Sequence, residues 1–262
     1  MSVILVEKKE KIAIITINRP DVYNAMNYDA WREITKTWIN LKNDPDIWTI
    51  VLTATGDKAF CAGQDLKEMA RLKAEAEKEG RPFVSSLPEA TPTKYLDMPK
   101  PVIAAINGLA IGAGLELALA CDIRIAADHV RLGFREVSQA IIPGAGGTQR
   151  LPRFIPFGIA LEILMTGDLI SAEEAFRVGL VNRVVPLSEL MPNAIAFANR
   201  INENGPLAVR AVKEAAYKGI QMPLNEALRF ETLLLSKVRE SEDAWEGPKA
   251  FAEKRKPNYR GR

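Results

Sequence analysis

The sequence predicts an α/β fold followed by a helical C-terminal region. Between residues 102 and 126, a strand (102–106), the start of a helix (114–120) and another strand (123–126) follow one another, which is typical of an α/β core. After Pro186 the sequence has helical periodicity almost to its end. The 262 residues, 47% of them hydrophobic, suffice for one large domain or a large and a small one. We therefore expect a core over residues 1–195 and a helical oligomerisation region over 196–262.

The first elements are a hairpin, a helix and a buried strand. Residues 3–8 and 12–17 are apolar, β-branched and separated by a charged turn, which predicts a hairpin. Asn27 is the expected N-cap of an amphipathic helix that stops at residues 43–46. Residues 48–54 form a candidate buried strand. The apolar face of the helix is Trp31, Ile34, Trp38 and Leu41.

The later elements are punctuated by proline and glycine. Residues 70–98 begin with charge and alanine and end rich in proline, which predicts a helix and then a mobile loop that covers a ligand. A capping box over residues 171–174 opens a helix that ends near Gly179. In the C-terminal region we expect helix breaks at residues 205–206 and 222–223.

Composition narrows the functional classes. A formal charge of +2 gives no reason to expect nucleic acid or an acidic membrane as partner. Two cysteines, Cys61 and Cys121, argue against a disulfide framework and fit a reducing compartment, so we expect a cytoplasmic protein. The single histidine, His129, excludes a multi-histidine metal site and disfavours a Ser-His-Asp triad, and we interpret it as a surface residue. No metal is expected.

No membrane segment is expected either. The apolar N-terminal residues 3–6 are followed at once by the charged residues 7–11, unlike a signal peptide. Residues 101–120 are nearly all apolar, but they contain Asn107, Glu116 and three glycines. Because a charged group is costly in lipid, we interpret this stretch as part of a soluble core.

Two glutamates are the best candidates for chemistry. Glu116 follows a glycine-rich turn over residues 107–114, and Glu136 precedes another over residues 143–147. Such settings place backbone N–H donors beside a carboxylate. Two carboxyls that share a site cannot both ionise easily, so one tends to hold a proton while the other acts as base. That pairing suits the addition or removal of water across a carbon–carbon double bond.

These residues lie within blocks that resemble a known family. The blocks are residues 59–66 (AFCAGQDL), 100–108 (KPVIAAING), 107–122 around Glu116, and 143–150 (PGAGGTQR). Together, and in this order, they are similar to the crotonase superfamily, and most closely to enoyl-CoA hydratases. The resemblance extends over essentially the whole chain.

The resemblance implies a crotonase-like spiral of ββα units with a C-terminal helical trimerisation region, often paired into hexamers. It implies an acyl-coenzyme A substrate, no further cofactor, and an oxyanion hole made by the backbone N–H groups of Ala62 and Ala113. Ala113 also opens a helix, whose N-terminus favours negative charge. The family often has glycine at this position. Glu116 would act mainly on water and Glu136 mainly as the α-proton donor.

Cys61 could be a nucleophile, but with no histidine nearby in the sequence we interpret it as a packed thiol.

The resemblance also implies a set of residues along the coenzyme A path. Asp65 has two interpretations, a helix cap or a substrate contact. Phe251 and Lys254 are expected either at the adenine and 3′-phosphate or on a solvated helix face. The expected substrate and coenzyme A contacts are Ala62, Gly63, Gln64, Asp65, Leu66, Gly112, Phe251 and Lys254.

Three functions follow from the resemblance. The first is the reversible hydration of a trans-2-enoyl-CoA to a 3-hydroxyacyl-CoA, as in β-oxidation of fatty acids. The second keeps the chemistry with another substrate, because residues 206–208, 222–223 and 241–248 are also similar to carnitinyl-CoA dehydratases, and cyclic or dienoyl thioesters are possible too. The third is RNA binding, known for some crotonase-fold proteins. Its helix would offer only Arg32, Lys36 and Lys42, a weak footprint for phosphates.

Overall fold

A computed structural model of the chain describes residues 2–82, 91–94 and 97–262. It contains two β-sheets with helices around them. One sheet has six strands in the order β1-β2-β3-β5-β7-β10, and the other has four in the order β4-β6-β8-β9. The strands are β1 (Ile4–Lys9), β2 (Ile12–Ile17), β3 (Thr49–Ala54), β4 (Ala59–Cys61), β5 (Val102–Ile106), β6 (Leu109–Ile111), β7 (Ile123–Ala127), β8 (Arg131–Gly133), β9 (Leu169–Ser171) and β10 (Arg183–Val185).

Consecutive strands of the middle of the chain alternate between the two sheets. The chain runs β3, β4 and then the helix α2 (Leu66–Lys78), followed by β5, β6 and the helix α3 (Ala113–Leu119). Strands β7 and β8 again belong to the six-stranded and the four-stranded sheet, respectively. Apart from the hairpin β1–β2 and the pair β8–β9, the paired strands are parallel. Repeated ββα turns wind the chain into a spiral, as the resemblance to the crotonase superfamily implied.

The N-terminal predictions are confirmed. The hairpin pairs Ile4 with Ile17. Helix α1 (Tyr28–Asn43) is capped by Asn27, whose side chain accepts a hydrogen bond from the N–H of Ala30 at 2.9 Å. Such a cap satisfies one of the N–H groups that have no partner within the helix. The predicted apolar face is buried in the core.

Three helices lie between β8 and the C-terminal region. Helices α4 (Gly147–Phe154) and α5 (Phe157–Thr166) follow β8, and α6 (Ala172–Arg177) follows β9. Ser171 caps α6 by accepting from the N–H of Glu174 at 3.1 Å, which confirms the predicted capping box as its start.

Four helices form the C-terminal part: α7 (Leu187–Asn202), α8 (Pro206–Gly219), α9 (Leu224–Arg239) and α10 (Glu242–Ala252). The two predicted breaks are present. A third break lies at Ser241, which the sequence analysis missed and which caps α10 by accepting from the N–H of Ala244. Helix α7 packs on β3, β5 and β7, so the expected division at residue 195 falls inside a helix of the core.

The region predicted as a helix and a covering loop is only partly described. Helix α2 begins at Leu66, four residues before the predicted start, and ends at Lys78. The predicted loop falls largely on residues 83–90 and 95–96, which lie outside the described residues. Within 91–94, the side chains of Thr91 and Thr93 are buried and lie 2.8 Å apart, Oγ1 to Oγ1.

Helix α3 meets strand β4 at a very close backbone approach. A Cβ placed on Gly114 would lie 2.0 Å from the carbonyl oxygen of Cys61. No side chain fits in that space, so glycine is required there for packing rather than for an unusual φ. The contact fixes the start of α3 against the end of β4.

We predict that Gly114→Ala destabilises the protein by about 1–3 kcal/mol or more, because the added methyl group must push two backbone segments apart. Gly158→Ala is the matched control, since a Cβ there meets nothing within 4 Å and Gly158 lies in a helix. The control should be neutral or stabilising by about 0.5–1 kcal/mol. Denaturant unfolding of both variants measures the difference, and equal stabilities would contradict this account of the contact.

Candidate active site

The candidate site lies at the carboxyl edge of the four-stranded sheet. Strands β4, β6 and β8 are adjacent and parallel, so their C-terminal ends meet at one edge. Residues 62–64 follow β4, Gly112 and α3 follow β6, and Glu136 comes soon after β8. The edge beyond the carboxyl ends of parallel strands is the usual place for a ligand in α/β folds. The segments that the sequence analysis singled out separately therefore converge.

Glu116 is held by two backbone amides. It lies in the first turn of α3 and is 2% exposed. Its Oε1 accepts hydrogen bonds from the N–H of Ala145 at 2.7 Å and from the N–H of Gly147 at 2.8 Å. Both bonds fall on one oxygen, so the orientation of the carboxylate is fixed while Oε2 remains for other partners.

The loop that supplies these amides depends on glycine. Gly146 has φ +108° and ψ 0°, a left-handed conformation that side chains with a Cβ rarely adopt. A Cβ on Gly146 would also lie 2.0 Å from Nη1 of Arg150. The turn at Gly146 allows the N–H groups of Ala145 and Gly147, on either side of it, to point at the same carboxylate oxygen.

Glu136 lies opposite, at the start of a 3₁₀ turn over Glu136–Gln139. Its carboxyl group lies against Gly112, where an added Cβ would be 2.7 Å from Oε1 of Glu136. Oε2 is buried and, within the described parts of the chain, has no hydrogen-bond partner. A buried oxygen without a partner is costly when charged, so this carboxyl is suited to carry a proton.

Both carboxyl groups have raised pKa values, for different reasons. Burial raises the pKa of Glu116. This rise is opposed by hydrogen bonds from the amides of Gly147 and Ala145 and by the positive charges of Arg150 and Lys94, all of which lower the pKa. Burial also raises the pKa of Glu136, and the nearby charge of Glu116 raises it further. The backbone N–H groups of Glu136 and Arg135 lower the pKa of Glu136 in part. Among the described residues, however, Oε2 of Glu136 has no hydrogen-bond partner, whereas Glu116 accepts from two loop amides. The pair can therefore hold one proton, with Glu116 as the base and Glu136 as the acid.

The oxyanion donors expected from the sequence are only partly available. The N–H of Ala62 donates to the carbonyl of Tyr23 at 3.0 Å, so it is already engaged, and this corrects the expectation for Ala62. Gln64, two residues further on, pairs with Met26 as an isolated parallel bridge through the carbonyl of Gly63 and the N–H of Asp65. Because N–H groups alternate in direction along extended backbone, the N–H of Gln64 points away from Met26.

The turn after β4 lies directly against the start of α3. A Cβ on Gly63, which has φ +100°, would lie 3.1 Å from the carbonyl oxygen of Ile111 and 3.7 Å from the N atom of Ala113. Ala113 is the first residue of α3, so its N–H has no partner inside the helix. The indole Nε1 of Trp31 donates to Oε1 of Gln64 at 2.9 Å and fixes that side chain. The sequence analysis missed Gln64 as a backbone donor because hydrogen bonding within a turn is not visible in a motif.

The other expected contacts are placed as follows. Asp65 caps α2 by accepting from the N–H of Glu68, and it forms an ion pair with Arg19 at 3.0 Å, which favours the structural interpretation. Leu66 is 55% exposed at the start of α2. Phe251 is 86% exposed and Lys254 is also exposed, at the end of α10. Helix α10 packs against α9, so the coenzyme A role of these two residues stays a prediction.

The remaining reactive side chains of the sequence analysis are structural or exposed. Cys61 is fully buried, and burial raises the pKa of its thiol to about 12, so it is a neutral packed thiol at physiological pH. His129 is on the surface and its Nε2 lies 3.0 Å from the carbonyl oxygen of Asp57. In the described ranges, no group of three or more acidic, cysteine or histidine side chains could hold a metal ion. Nor is any helix of those ranges long and apolar enough to span a membrane.

A cavity of about 420 Å³ opens beside the N-terminal end of β4. It is lined by two segments that include Pro20, Tyr23, Asn24 and Lys58. Strand β4 leads from this cavity to the turn at residues 62–64. Asp21 and Asp57 line the cavity beside Lys58, so its lining carries charge of both signs.

Fold and site together define a class of protein. Repeated ββα turns, a free helix N-terminus and a carboxyl pair of unequal basicity belong to proteins that carry out acid–base chemistry next to a polarised carbonyl group. The chain belongs to the enoyl-CoA hydratase/isomerase family, whose model matches residues 7–262.

Relatives of known name match the chain over nearly its full length. A crotonyl-CoA hydratase of Syntrophomonas wolfei is 44% identical over 256 residues, which are 98% of this chain and 97% of the relative. An (E)-benzylidenesuccinyl-CoA hydratase of Thauera aromatica is 42% identical over 262 residues, covering 98% and 99%. The crystal structure of an enoyl-CoA hydratase from Bacillus anthracis superposes with a TM-score of 0.92 at 43% identity, over 99% of this chain and 100% of that one.

We predict that Glu116→Gln lowers the pKa of Glu136, because the neighbouring negative charge that raises it is removed while burial is kept. Carboxyl ¹³C chemical shifts followed against pH measure the change. Glu173→Gln, which removes an exposed carboxyl group on α6, is the control and should leave the pKa of Glu136 unchanged. A Glu136 pKa that stays in place or rises in Glu116→Gln would show that the two carboxyls are not coupled.

Proposed function

We propose that the protein is an enoyl-CoA hydratase, which adds water reversibly to a trans-2-enoyl-CoA to give a 3-hydroxyacyl-CoA. The observation that carries the proposal is the pair of carboxyl groups. Two amides bind that of Glu116, whereas Oε2 of Glu136 is buried and has no hydrogen-bond partner among the described residues. An enoyl thioester needs one base for water and one acid for its α-carbon. Membership of the family and the names of full-length relatives support the same reaction.

In this mechanism the thioester carbonyl is polarised by backbone N–H groups. We assign this role to Ala113, at the N-terminus of α3, and to Gln64, in the turn that lies against it. The amides stabilise the enolate oxygen that develops when water attacks, and each such donor typically contributes about 3–4 kcal/mol. The methyl group of Ala113 leaves its N–H free. This choice replaces Ala62, whose N–H is bonded to Tyr23.

The proton steps follow from the two environments. Glu116 accepts a proton from water through Oε2 as the water oxygen bonds to the β-carbon. Glu136 gives its proton to the α-carbon, so that H and OH have been added across the double bond. Transfer of the proton from Glu116 back to Glu136 restores the pair. In the reverse direction Glu136 removes the α-proton and Glu116 protonates the departing hydroxyl.

The rest of the substrate is proposed to lie along β4. The coenzyme A part would pass the backbone of residues 62–66 and Gly112. No further cofactor is needed, because the thioester itself supplies the activating carbonyl group. We retain Phe251 and Lys254 as contacts for the adenine and phosphate, supplied from the helical C-terminal region.

More than one acyl group is compatible with the proposed reaction. The relatives include hydratases named for crotonyl-CoA and for (E)-benzylidenesuccinyl-CoA, so a short chain and a bulkier aromatic acid are both compatible with this level of identity. A carnitinyl thioester and cyclic or dienoyl thioesters are the alternatives within the same chemistry. The carboxyl pair and the family favour an enzyme over the RNA-binding alternative.

We further propose a trimer, or a pair of trimers, in a reducing compartment such as the cytoplasm. The C-terminal helices leave large apolar side chains exposed, and exposed apolar patches commonly mark contacts between proteins. Both cysteines are free and buried, which fits such a compartment. The exposed apolar side chains on α8–α10 and their connections include Val212, Ile220, Leu224, Trp245 and Phe251.

We predict that the purified protein removes the ultraviolet absorbance of crotonyl-CoA, because hydration ends the conjugation of the double bond with the thioester. Carnitinyl and aromatic enoyl thioesters, tested in parallel, rank the acyl specificity by kcat/KM. Failure to convert any of these thioesters, while they still bind, would refute the hydratase proposal within this family.

We predict that Glu136→Gln abolishes hydration and leaves thioester binding nearly unchanged, because the amide keeps the shape of the side chain but cannot donate a proton to carbon. Crotonyl-CoA turnover and calorimetric titration with the 3-hydroxyacyl-CoA product measure the two properties. Glu173→Gln serves as the surface control and should keep full activity. Loss of binding together with activity would contradict this division of roles.

A further inference from the structure

Arg150 touches the loop that holds Glu116, although it lies outside the carboxyl pair itself. It lies on α4 and is partly buried. Its Nη1 donates to the carbonyl oxygen of Ala145 at 3.2 Å, and its own N–H donates to the carbonyl of Gly146 at 2.8 Å. Arg150 is thus bonded to two successive carbonyl groups of the loop whose amides bind Glu116.

The space around Gly146 is shaped for this guanidinium group. The Cβ that Gly146 lacks would lie 2.0 Å from Nη1 and 3.1 Å from Cζ of Arg150. The left-handed φ of Gly146 turns the carbonyl of Ala145 toward Arg150, while the N–H groups of Ala145 and Gly147 turn toward Glu116. One side of the loop therefore binds a cation and the other binds a carboxylate.

We propose that Arg150 is a positioning residue for the base Glu116, acting through the Ala145–Gly147 loop. By holding the Ala145 carbonyl, the guanidinium keeps the two amides aimed at Oε1, and Oε2 stays directed at water. This inference rests on the proposed hydratase function and goes beyond it by naming the group that keeps the base in place.

Arg150 has a second effect through its charge. The charged or titratable groups that face Glu116 are Arg150 from α4, Lys94 from the 91–94 segment, and Glu136 across the site. Arg150 in turn faces Glu116, Cys121 and Tyr217. Lys94 is exposed and screened by solvent, whereas Arg150 is partly buried, so Arg150 is the stronger support for the ionised form of Glu116.

The test compares Arg150→Met, Arg150→Lys and Arg153→Met. Arg153 lies one turn further along α4, is exposed and, in the part of the chain that the structure describes, bonds only to Gln149, so it controls for the loss of a charge from that helix. In Arg150→Met we expect kcat to fall by about 10-fold or more with KM little changed, as when a group that orients a functional ligand is removed. Arg153→Met should keep wild-type values.

The pH profile separates positioning from mere folding. Hydration requires ionised Glu116, so activity is lost as pH falls through its pKa. Without the positive charge of Arg150 that pKa rises further, and the acidic limb of kcat/KM moves to higher pH. Arg150→Lys keeps the charge, so its acidic limb should stay near that of the wild type while kcat is only partly restored.

Two results would overturn the inference. One is an unchanged kcat and acidic limb in Arg150→Met, or in Arg150→Gln if the methionine variant does not fold. The other is a ¹³C titration of the Glu116 carboxyl that is the same in Arg150→Met as in the wild type. The resonance is assigned by its loss in Glu116→Gln. The titration needs no substrate, so it tests the positioning role apart from the reaction. If the wild type shows no hydratase activity but the pKa of Glu116 still shifts in Arg150→Met, the proposed reaction is refuted and the positioning role is supported.

Discussion

The active site depends on the contact between Gly114 and the carbonyl group of Cys61. Two backbone segments approach there more closely than any side chain would allow. That contact places the first amide of α3 beside the turn after β4, and it sets the direction in which Glu116 leaves the helix. Neither sheet pairing nor the apolar core could do this alone, because α3 has only seven residues and little surface of its own. Backbone packing at one glycine thus determines how the amide of Ala113, the proposed donor to a thioester carbonyl, lies relative to Glu116.

The two glutamates illustrate how neighbours assign different roles to identical side chains. Both are withdrawn from water, which by itself would favour the protonated form of each. Glu116 gains two amide donors and a guanidinium nearby, whereas Glu136 has a buried oxygen without a partner among the described residues. The difference between acid and base therefore comes from the glycine-rich 143–147 loop. The chemistry of the site is in this sense a property of the backbone.

Much of this could be predicted from the sequence, and the exceptions have physical causes. The hairpin and the cap at Asn27 followed from periodicity and capping patterns, because these express local preferences and burial. The spiral was implied by the resemblance to the crotonase superfamily and not by periodicity, which indicated only an α/β core. The break at Ser241 was missed because no proline or glycine marks it. Ala62 was the expected oxyanion donor, yet its N–H is bonded to Tyr23, almost forty residues earlier in the chain. Hydrogen bonds between distant backbone segments leave no local signal. The contact of the Arg150 side chain with the Ala145–Gly147 loop is likewise a tertiary contact that no local sequence pattern marks.

The alternation of strands between two sheets has a consequence for how such an enzyme can change. Each turn of the spiral delivers one part of the site: the 62–64 turn after β4, Gly112 and α3 after β6, and Glu136 after β8. The connection from α2 to β5 lies between two of these turns and contributes neither carboxylate. The two carboxyl groups follow β6 and β8, so a change in that connection leaves the segments that carry them intact. The part of the chain between α2 and β5 is thus separated in sequence from the acid–base pair.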